Sequence, residues 1–463
     1  MSRLGQRLLA IGGFCLAALM VYTVILDLEV KDSGDGSDTP IIAVFYPERI
    51  YWREFREGIR VCARKKLLRI VDETDLSVVV ESTRSNRGLG FVWHGVRGVV
   101  AMKEEIERLL SESPQPVAFV GSSNTVLTQA IARTLNDAAE AGGPAGPLLL
   151  IPWAGSVLTD RSEPSEPPIG LLDILPGRTF RFCPNNQAQA GLLVGCLAHR
   201  APPLLLDKAI IIEDRQDPYS IDLADSFHRA IERAAPGVEI DERSLSVGLP
   251  SGSPLGGTGS SPEDTLAASI WDEVAKLPEK RSLWLVLPIQ ELPTQTMIEA
   301  LSRQARRANR GGSNTFQVLT GDSIGLDVLA RLAGRCPFPI SSVSTNSPTT
   351  VSHELTKEFS ADSQIPAEIV SSLVFALDQL DDKPLTSTTL RKQLESIQWS
   401  GDDPRAIVRP LRFSKSGERV SDDMGHVLTI QPGDPRVMAI PRLGKDRWGP
   451  AAEVDPKYLS IQP

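Results

Sequence analysis

The feature that most constrains the fold of this chain is an alternation of short apolar segments with longer amphipathic ones, which begins at Pro40. Apolar segments such as 41–46 and 148–151 show no polar alternation, whereas 124–139 carries apolar residues at helical spacing. Strands that are apolar on both faces and alternate with helices of about 10–16 residues are typical of parallel sheets covered on both sides. The sequence therefore predicts an α/β protein.

The pattern occurs twice, with a proline-rich segment at 163–176 between the two occurrences. One αβ unit covers 41–160 and the second covers 179–340, and a chain of 463 residues is long enough for two or three domains. After residue 340 the pattern changes. It predicts helices over 351–359, 367–380 and 387–397, then a hairpin formed by 406–413 and 426–430, and an irregular tail over 433–463.

Charge and metal-binding patterns exclude several functions. The chain has 49 lysine and arginine residues against 58 aspartate and glutamate residues, a net charge of −9, which argues against a nucleic-acid-binding surface. Its five cysteines form no CxxC pair and its five histidines form no HxxxH or HExxH pattern, so no metal is expected. The phosphate-binding patterns GxxxxGKS and GxxxxGKT do not occur, and no cofactor is expected.

The N-terminus contains an uncharged run of 19 residues at 8–26, long enough for a helix to cross most of a bilayer core of about 30 Å. Arg3 and Arg7 precede the run and acidic residues follow it, which favours a cytoplasmic N-terminus. We interpret the run as a transmembrane signal anchor, because it is longer than a signal-peptide core. A cleaved signal peptide, a lipoprotein anchored at Cys15 and a buried core helix are the alternatives.

This interpretation gives a cytoplasmic segment at 1–7, a membrane span at 8–26 and a short flexible tether at 27–39. The bulk of the chain would then lie on the extracytoplasmic, periplasmic side of the cell membrane, as part of a single-pass protein. That compartment permits disulfides, but the four cysteines beyond the span can equally be buried thiols.

Small and polar residues follow two strands of the first unit, at the points where these strands are expected to end. They are Ser122, Ser123 and Thr125 after one strand, and Ala154, Gly155 and Ser156 after the next. Ligands of open parallel sheets bind beyond the carboxyl ends of strands, where such residues offer hydroxyls and backbone N–H groups. The alternative is that Ser123 or Asn124 only caps the following helix and that the second turn is an ordinary loop.

Two strand ends of the second unit carry further candidates. Tyr219 would lie at the start of a helix that follows the strand at 208–212, and Asp322 follows the strand at 316–319. A tyrosine at that position would face a cleft between the units, and an aspartate at the other strand end can pair with an ammonium group. The alternatives are a surface tyrosine and a helix-capping aspartate.

Residues 321–325 also match the GxSxG pattern of a hydrolase nucleophile elbow, with Ser323 as the candidate nucleophile. Such an enzyme needs an acid and a histidine downstream, and nothing in the sequence selects either His353 or His426. Short patterns of this kind arise often by chance, so we expect a glycine turn rather than an enzyme.

The order of these segments resembles that of the type I periplasmic binding proteins, in particular the branched-chain amino acid and amide class of ABC-transporter substrate-binding proteins. Four segments carry the resemblance. They are VAFVGSSNT at 117–125, LLIPWAGSVLTD at 149–160, FRFCPNNQAQAGLLVGCLA at 180–198 and KAIIIEDRQDPYSIDLADSFHRAIERA at 208–234. A turn from Phe413 to Gly417 adds to it, and the resemblance covers residues 40–432.

The resemblance implies two Rossmann-like lobes with parallel sheets, joined by three hinge crossings and closing on a ligand. The first lobe would comprise 40–177 and 343–405, and the second 178–342 and 406–432. By the same resemblance, Ser123, Thr125, Ala154 and Ser156 would bind a ligand carboxylate or amide. The neighbouring Ser122 and Gly155 complete the predicted ligand-binding residues at these two strand ends. Tyr219 would close over the ligand from the second lobe, and Asp322 would pair with an amine.

The implied function is capture of a small polar ligand, an amino acid or amide, without chemistry and for ABC-type uptake. The expected partners are that ligand, the membrane, and an ABC permease or a membrane signalling protein, with no nucleic acid. The segment after the first strand, 47–53, is bulky and charged where the family has a small loop, which indicates an altered pocket. A ligand-sensing or scaffold domain of the same fold is therefore the second hypothesis.

Overall fold

The computed structural model describes residues 39–454 with gaps, so the features expected at 1–38 and the helix expected at 351–359 lie outside the described residues. The gaps are 142–145, 159–167, 201–204, 246–260, 279–280, 308–315, 345–362, 381–382, 401–402, 404, 408–409, 421–424 and 445–446. Across the described part of the chain, no helix is both long enough and apolar enough to cross a membrane.

The first of two large sheets has seven strands within the described residues. They are β1 (Ile41–Phe45), β2 (Leu68–Glu73), β3 (Ser77–Ser82), β4 (Gly88–His94), β5 (Ala118–Gly121), β6 (Leu148–Ile151) and β7 (Thr179–Arg181), in the spatial order β2-β3-β4-β1-β5-β6-β7. Strands β4, β1, β5, β6 and β7 are parallel, whereas β2 and β3 form an antiparallel edge. Strand β1 is central and almost fully buried because it is apolar on both faces.

Helices cover both faces of this sheet. They are α1 (Arg49–Arg64), α2 (Val99–Ser111), α3 (Thr125–Glu140), α9 (Gln364–Asp378) and α10 (Ser387–Glu395). One face packs against α1, α9 and α10 through residues that include Phe55, Ile369 and Leu390. The other face packs against α2 and α3 through Ile106 and Ile131. We refer to this sheet and these helices as the first lobe.

The second sheet has nine strands in the described part of the chain. They are β8 (Leu205–Glu213), β9 (Glu239–Ser244), β10 (Arg281–Leu287), β11 (Phe316–Thr320), β12 (Ile340–Ser344), β15 (His426–Ile430), β16 (Met438–Gly444), β17 (Arg447–Trp448) and β18 (Ala452–Glu453). The spatial order is β17-β16-β15-β12-β11-β10-β8-β9, with β18 beside β16. Strands β8, β9, β10, β11 and β12 are parallel to one another. Strands β15 and β16 extend the sheet beyond β12 and are each antiparallel to their neighbours.

Five further helices belong to this sheet. They are α4 (Asn186–Arg200), α5 (Pro218–Ala234), α6 (Pro262–Lys276), α7 (Glu291–Arg307) and α8 (Leu326–Leu332). Helices α4 and α5 pack on one face through Leu193 and Phe227, and α6, α7 and α8 pack on the other through Ile270, Leu301 and Leu329. This second lobe and the first together confirm the predicted α/β fold with two parallel-rich sheets.

The first change of lobe comes later in the chain than expected. Strand β7 was expected to open the second lobe, but it pairs in parallel with β6, and Phe180 is buried in the core of the first lobe. Phe182 and Cys183 are buried in the same core, so the chain leaves the first lobe only after Cys183 and then enters α4. It returns between β12 and α9 and leaves again after Phe413, which still packs against the first-lobe core, so it passes between the lobes three times.

The predicted hairpin of 406–413 and 426–430 is wrong. Strand β14 (Leu411–Arg412) pairs with β13 (Gln398–Trp399), whereas β15 pairs with β12 and β16. Trp399 and Leu411 are buried in the core of the first lobe, and Leu428 is buried in the core of the second. The two apolar segments therefore belong to different cores, although they are close in sequence.

The prediction of an irregular tail over 433–463 is also wrong for the residues that the structure describes. Strand β16 pairs with β15 through residues 438–441 and with β18 on its other side. Val437 and Ala439 are buried on one face of the sheet and Ile440 on the other. This segment thus completes the second lobe.

The described cysteines settle the choice between disulfides and thiols. Cys62, Cys183, Cys196 and Cys336 are all buried and form no disulfide. Burial in apolar surroundings raises the pKa of Cys62 and Cys183 to about 12. Cys62 and Cys183 are therefore packed thiols of low reactivity.

Candidate functional site

The polar residues at the strand ends lie where the two lobes contact each other. Because β1, β5 and β6 are parallel, the residues that follow them, including Ser122, share one edge of the first sheet. Tyr219 at the start of α5 and Gly321 after β11 lie at the corresponding edge of the second sheet. The first turn of α4 touches both edges, through Asn186 on one side and Gln189 on the other.

Thr125 and Ser156 come from different strand ends of the first lobe and bind each other. Their hydroxyl oxygens are 2.9 Å apart, and the two residues are 2% and 0% exposed. Asn124 caps α3, since its side-chain oxygen accepts a hydrogen bond from the Leu127 N–H at 2.9 Å. The capping alternative is therefore correct for Asn124, whereas Thr125 and Ser156 form a buried polar pair and Ser123 remains partly exposed beside them.

Tyr219 and Asp322 form the matching pair of the second lobe. The Tyr219 hydroxyl donates to the Asp322 carboxylate at 2.9 Å, and the Asp322 N–H donates to Gln189 Oε1 at 3.1 Å. Burial raises the pKa of Tyr219 well above its ordinary value, and the neighbouring Asp322 charge raises it further. Burial also raises the pKa of Asp322, and the hydrogen bond from Tyr219 offsets part of that increase. The phenol is therefore a fixed hydrogen-bond donor at neutral pH.

At Gly155 the two lobes approach so closely that no side chain would fit. The Asn186 N–H donates to the Gly155 carbonyl oxygen at 2.7 Å. A Cβ atom on residue 155 would lie 2.6 Å from Asn186 Oδ1 and 3.0 Å from Gln189 Nε2. Glycine at this position therefore allows α4 to rest on the loop that carries Ala154 and Ser156.

Asp222 is a residue of this junction that the sequence analysis did not single out. Its carboxylate, on α5 of the second lobe, accepts hydrogen bonds from the N–H groups of Val157 at 2.9 Å and Leu158 at 3.1 Å, which follow the strand-end loop of the first lobe. Burial raises the pKa of Asp222, and these backbone hydrogen bonds lower it in part. A sequence signal existed, because Asp222 lies on the apolar face of α5 beside Leu223 and three residues after Tyr219.

Arg181 fixes the same loop from the first lobe. Its side chain is fully buried and donates to the Ser156 carbonyl oxygen at 2.6 Å and to the Glu418 carboxylate at 3.2 Å. Burial raises the pKa of Glu418, and the Arg181 charge offsets part of this increase. Ser156 is thus held at its hydroxyl by Thr125 and at its carbonyl by Arg181.

Four buried polar atoms at this junction have no hydrogen-bond partner among the described residues. They are Ser122 Oγ, Asn186 Oδ1, Gln189 Nε2 and Ser323 Oγ. The Asn186 amide is oriented by Nδ2, which donates to Asp222 at 2.9 Å, and the Gln189 amide by its oxygen, which accepts from Asp322. The remaining side-chain atoms are therefore one acceptor, Asn186 Oδ1, and one donor, Gln189 Nε2. Because buried polar groups in proteins are nearly always hydrogen-bonded, these atoms are available to bind ordered water or a small polar ligand.

The candidate nucleophile of the GxSxG pattern has no catalytic partner in the described part of the chain. Ser323 lies in the turn between β11 and α8, and no side-chain base is hydrogen-bonded to its hydroxyl there. His353 lies outside the described residues, and His426 pairs with Ser344 in the sheet register. Nor do the described residues contain three His, Cys, Asp or Glu side chains grouped so that they could hold a metal ion.

No protein-family model and no curated protein matches this sequence. Solved structures do match it. An ABC transporter substrate-binding protein from Desulfitobacterium hafniense in complex with Leu is 14% identical, with a TM-score of 0.57 over 86% of this chain and 99% of that one. A leucine-, isoleucine-, valine-, threonine- and alanine-binding protein from Brucella ovis, in a closed conformation, is 10% identical, with a TM-score of 0.61 over 92% and 97%. A solute-binding protein from R. palustris in complex with benzoate is 12% identical, with a TM-score of 0.58 over 92% and 100%.

This chain has the type I periplasmic binding protein fold. The resemblance noted in the sequence is therefore confirmed for the fold, and the two lobes described above are the two lobes of that fold. At identities of 10–14% the similarity extends to the fold and not to the ligand.

In this version of the fold, aromatic rings fill one side of the first-lobe edge. Tyr46, Tyr51 and Trp153 contact one another with ring centroids 5.2–6.0 Å apart. The bulky charged loop expected at 47–53 is instead the start of α1, and Arg49 points outward to an exposed ion pair with Asp75 at 2.7 Å. Segment 47–53 therefore contributes one ring, that of Tyr51, to this cluster, and the charge of Arg49 lies outside it.

The raised pKa of Asp322 gives a pH-dependent prediction. Between the ordinary pKa of about 3.9 and the raised one, the folded protein holds a proton that the unfolded chain has lost, so stability from this group falls as pH rises. We expect Asp322→Asn to gain stability relative to the unchanged protein as pH increases from about 4 to about 8. Urea-unfolding midpoints across that range measure the difference. Asp225→Asn is the control for loss of one charge, because Asp225 is exposed. If the difference in midpoint from the unchanged protein is independent of pH for Asp322→Asn as well as for Asp225→Asn, the prediction is contradicted.

Proposed function

We propose that this protein is a membrane-anchored, extracytoplasmic solute-binding protein that captures a small polar ligand, an amino acid or amide, between its lobes without chemical conversion. The observation that carries the proposal is the set of buried, unpartnered donors and acceptors where the lobes meet. Ser122 belongs to the first lobe, whereas Asn186, Gln189 and Ser323 belong to the second. A ligand that bonds to both sides would stabilise the closed arrangement of the lobes.

The proposed ligand-binding residues are the eight predicted from the sequence. They are Ser122, Ser123, Thr125, Ala154, Gly155, Ser156, Tyr219 and Asp322. The pairs Thr125–Ser156 and Tyr219–Asp322 would share their hydroxyl and carboxylate groups with the ligand. We add Asn186 and Gln189 to this set, because Asn186 Oδ1 and Gln189 Nε2 lie beside Gly155 and have no hydrogen-bond partner among the described residues.

Uptake through an ABC-type permease is the proposed role, with the apolar run at 8–26 as the anchor. The similar solved structures support this role, since they include an ABC transporter substrate-binding protein with Leu, an amino-acid-binding protein and a solute-binding protein with benzoate. Those ligands are small molecules that combine a carboxylate with an apolar part. The aromatic cluster at the first-lobe edge would suit the apolar part of such a molecule.

A second candidate function is a ligand-sensing or scaffold domain without a transport role, and its scaffold form is favoured by the direct contacts between the lobes. The Asn186 N–H reaches the Gly155 carbonyl oxygen at 2.7 Å, and Asp222 binds two backbone N–H groups of the first lobe. A partner protein on the membrane would then bind the closed arrangement of the lobes without any bound solute.

Thermal unfolding against a panel of amino acids, amides and small aromatic acids tests the proposal. A ligand at 100 times its dissociation constant is expected to stabilise the folded protein by about 2.7 kcal/mol. Ser122→Ala should abolish most of this shift without destabilising the ligand-free protein, because the Ser122 hydroxyl has no partner among the described residues.

The matched control is Ser282→Ala. The Ser282 hydroxyl is also buried and unpartnered in the described structure, but it lies at the start of β10, at the opposite edge of the second sheet. It should leave the ligand-induced shift intact. Equal shifts in both variants would contradict the assigned site, and no shift with any compound would favour the scaffold function.

A further inference from the structure

We propose that Asp222 is a clasp that holds the second lobe on the first without a ligand and thereby positions Gly155 and Ser156. The inference rests on the proposed function, because it assigns the residue that controls closure of the same cleft. Asp222 would act through the strand-end loop and is a positioning residue, not one of the eight ligand-binding residues.

The geometry uses both oxygens of the carboxylate. Asp222 Oδ2 accepts hydrogen bonds from the Val157 N–H and from Asn186 Nδ2, each at 2.9 Å, and Oδ1 accepts from the Leu158 N–H at 3.1 Å. An ionised carboxylate has about four acceptor positions, so three donors fit it without conflict. A side-chain amide offers one acceptor oxygen and two N–H donors, so it would face at least one donor with another donor.

The position of Asp222 on its helix shows that these partners are what make its burial tolerable. Asp222 is 4% exposed and lies on the apolar face of α5 with Leu223 and Phe227. A buried charge without partners is strongly unfavourable. Two of its three donors come from the other lobe, so the carboxylate is satisfied inside the protein only while the lobes are together.

The segment that is hydrogen-bonded to Asp222 directly follows the loop that carries the proposed ligand contacts. Gly155 and Ser156 immediately precede Val157, and the Ser156 hydroxyl binds Thr125 at 2.9 Å. On the far side, Leu158 forms an isolated bridge with Gly170. The clasp therefore ties lobe closure to the placement of Ser156, and the ligand-free protein is expected to populate the closed arrangement.

Hydrogen exchange of the full-length protein in detergent, without ligand, tests the clasp through Asp222→Asn. We expect exchange at the Val157 and Leu158 amides to accelerate by about tenfold or more, because both N–H groups lose their acceptor. Exchange in the centre of the second sheet, for example at Ile210, should not change, which separates release of the clasp from general destabilisation.

The matched control is Asp225→Asn, which removes the same charge from an exposed position on the same helix and should leave exchange at Val157 and Leu158 unchanged. Exchange that is equally slow in Asp222→Asn and in the unchanged protein would overturn the clasp. If Asp222→Asn does not fold, hydrogen exchange of the Val157 and Leu158 amides in the unchanged protein becomes the test. Protection of both amides supports the clasp, and exchange at the rate of an unstructured loop refutes it.

Ligand binding separates failure of the clasp from failure of the proposed function. For a ligand found in the panel, Asp222→Asn should weaken affinity by about tenfold, because fewer molecules are closed before binding. An unchanged affinity together with unchanged exchange would overturn the clasp and leave the solute-binding function standing. Faster exchange in a protein that binds no compound would support the clasp and contradict the solute-binding function.

Discussion

Replacing Arg419 with leucine is expected to lower the free energy of unfolding by about 3–5 kcal/mol, the cost of leaving one partner of a buried ion pair alone. Arg419 and Glu368 are both nearly inaccessible to solvent, and the Arg419 guanidinium pairs with both oxygens of the Glu368 carboxylate. Arg419 also donates to the Phe182 carbonyl oxygen at 3.0 Å. These three residues belong to three separate stretches of chain near the crossings between the lobes, so the loss should affect the hinge as well as the core.

Chemical denaturation of Arg419→Leu, of Glu368→Leu and of the double variant measures this effect. The double variant should recover a large part of the lost stability, because no unpaired charge is then buried. Arg436→Leu is the surface control, since Arg436 pairs with Asp434 at 2.8 Å in an exposed position and its loss should have a much smaller effect. A loss at Arg419 no larger than the loss at Arg436 would contradict the prediction.

Replacing Gly417 with alanine is the second substitution for which we expect a large effect. Gly417 has φ +82°, and a Cβ atom there would lie 1.8 Å from the Thr179 carbonyl oxygen, which is backbone and cannot swing aside. The left-handed conformation costs a side chain about 1–2 kcal/mol, and overpacking adds about 1–3 kcal/mol. We therefore expect a loss of about 3 kcal/mol in the free energy of unfolding.

The consequence of that change should reach the candidate site. The Gly417 carbonyl oxygen accepts a hydrogen bond from the Arg181 N–H at 2.9 Å, and the Arg181 side chain holds the Ser156 carbonyl oxygen. A shift of the Gly417 turn would therefore loosen the strand-end loop and weaken ligand binding. Gly433→Ala is the control, because Gly433 has φ +74° but open space around it, and it should lose only the conformational part. Equal losses for the two variants would show that the contact with Thr179 is not decisive.

The predicted site shows how far local patterns reach. Strand ends can be located from uninterrupted apolar segments, and the residues that follow them, such as Ser122 and Ser156, are then known to share an edge. The pairing of Thr125 with Ser156, and of Tyr219 with Asp322, depends on distances between different strands of one lobe. Asn186, Gln189 and Asp222 were not predicted, because their partners lie in the other lobe or at distant strand ends.

The sequence by itself determined that this chain forms two αβ units, since the period of its apolar residues is set by neighbours a few positions away. It also determined which turns carry hydroxyls and carboxylates at the strand ends. Only the tertiary structure decided that β7 stays in the first lobe, that 411–412 and 426–430 enter different cores, and that 438–444 is a strand. Partner choice between strands, and the contact of Asp222 with Val157, depend on packing between residues far apart in the chain, which no local period records.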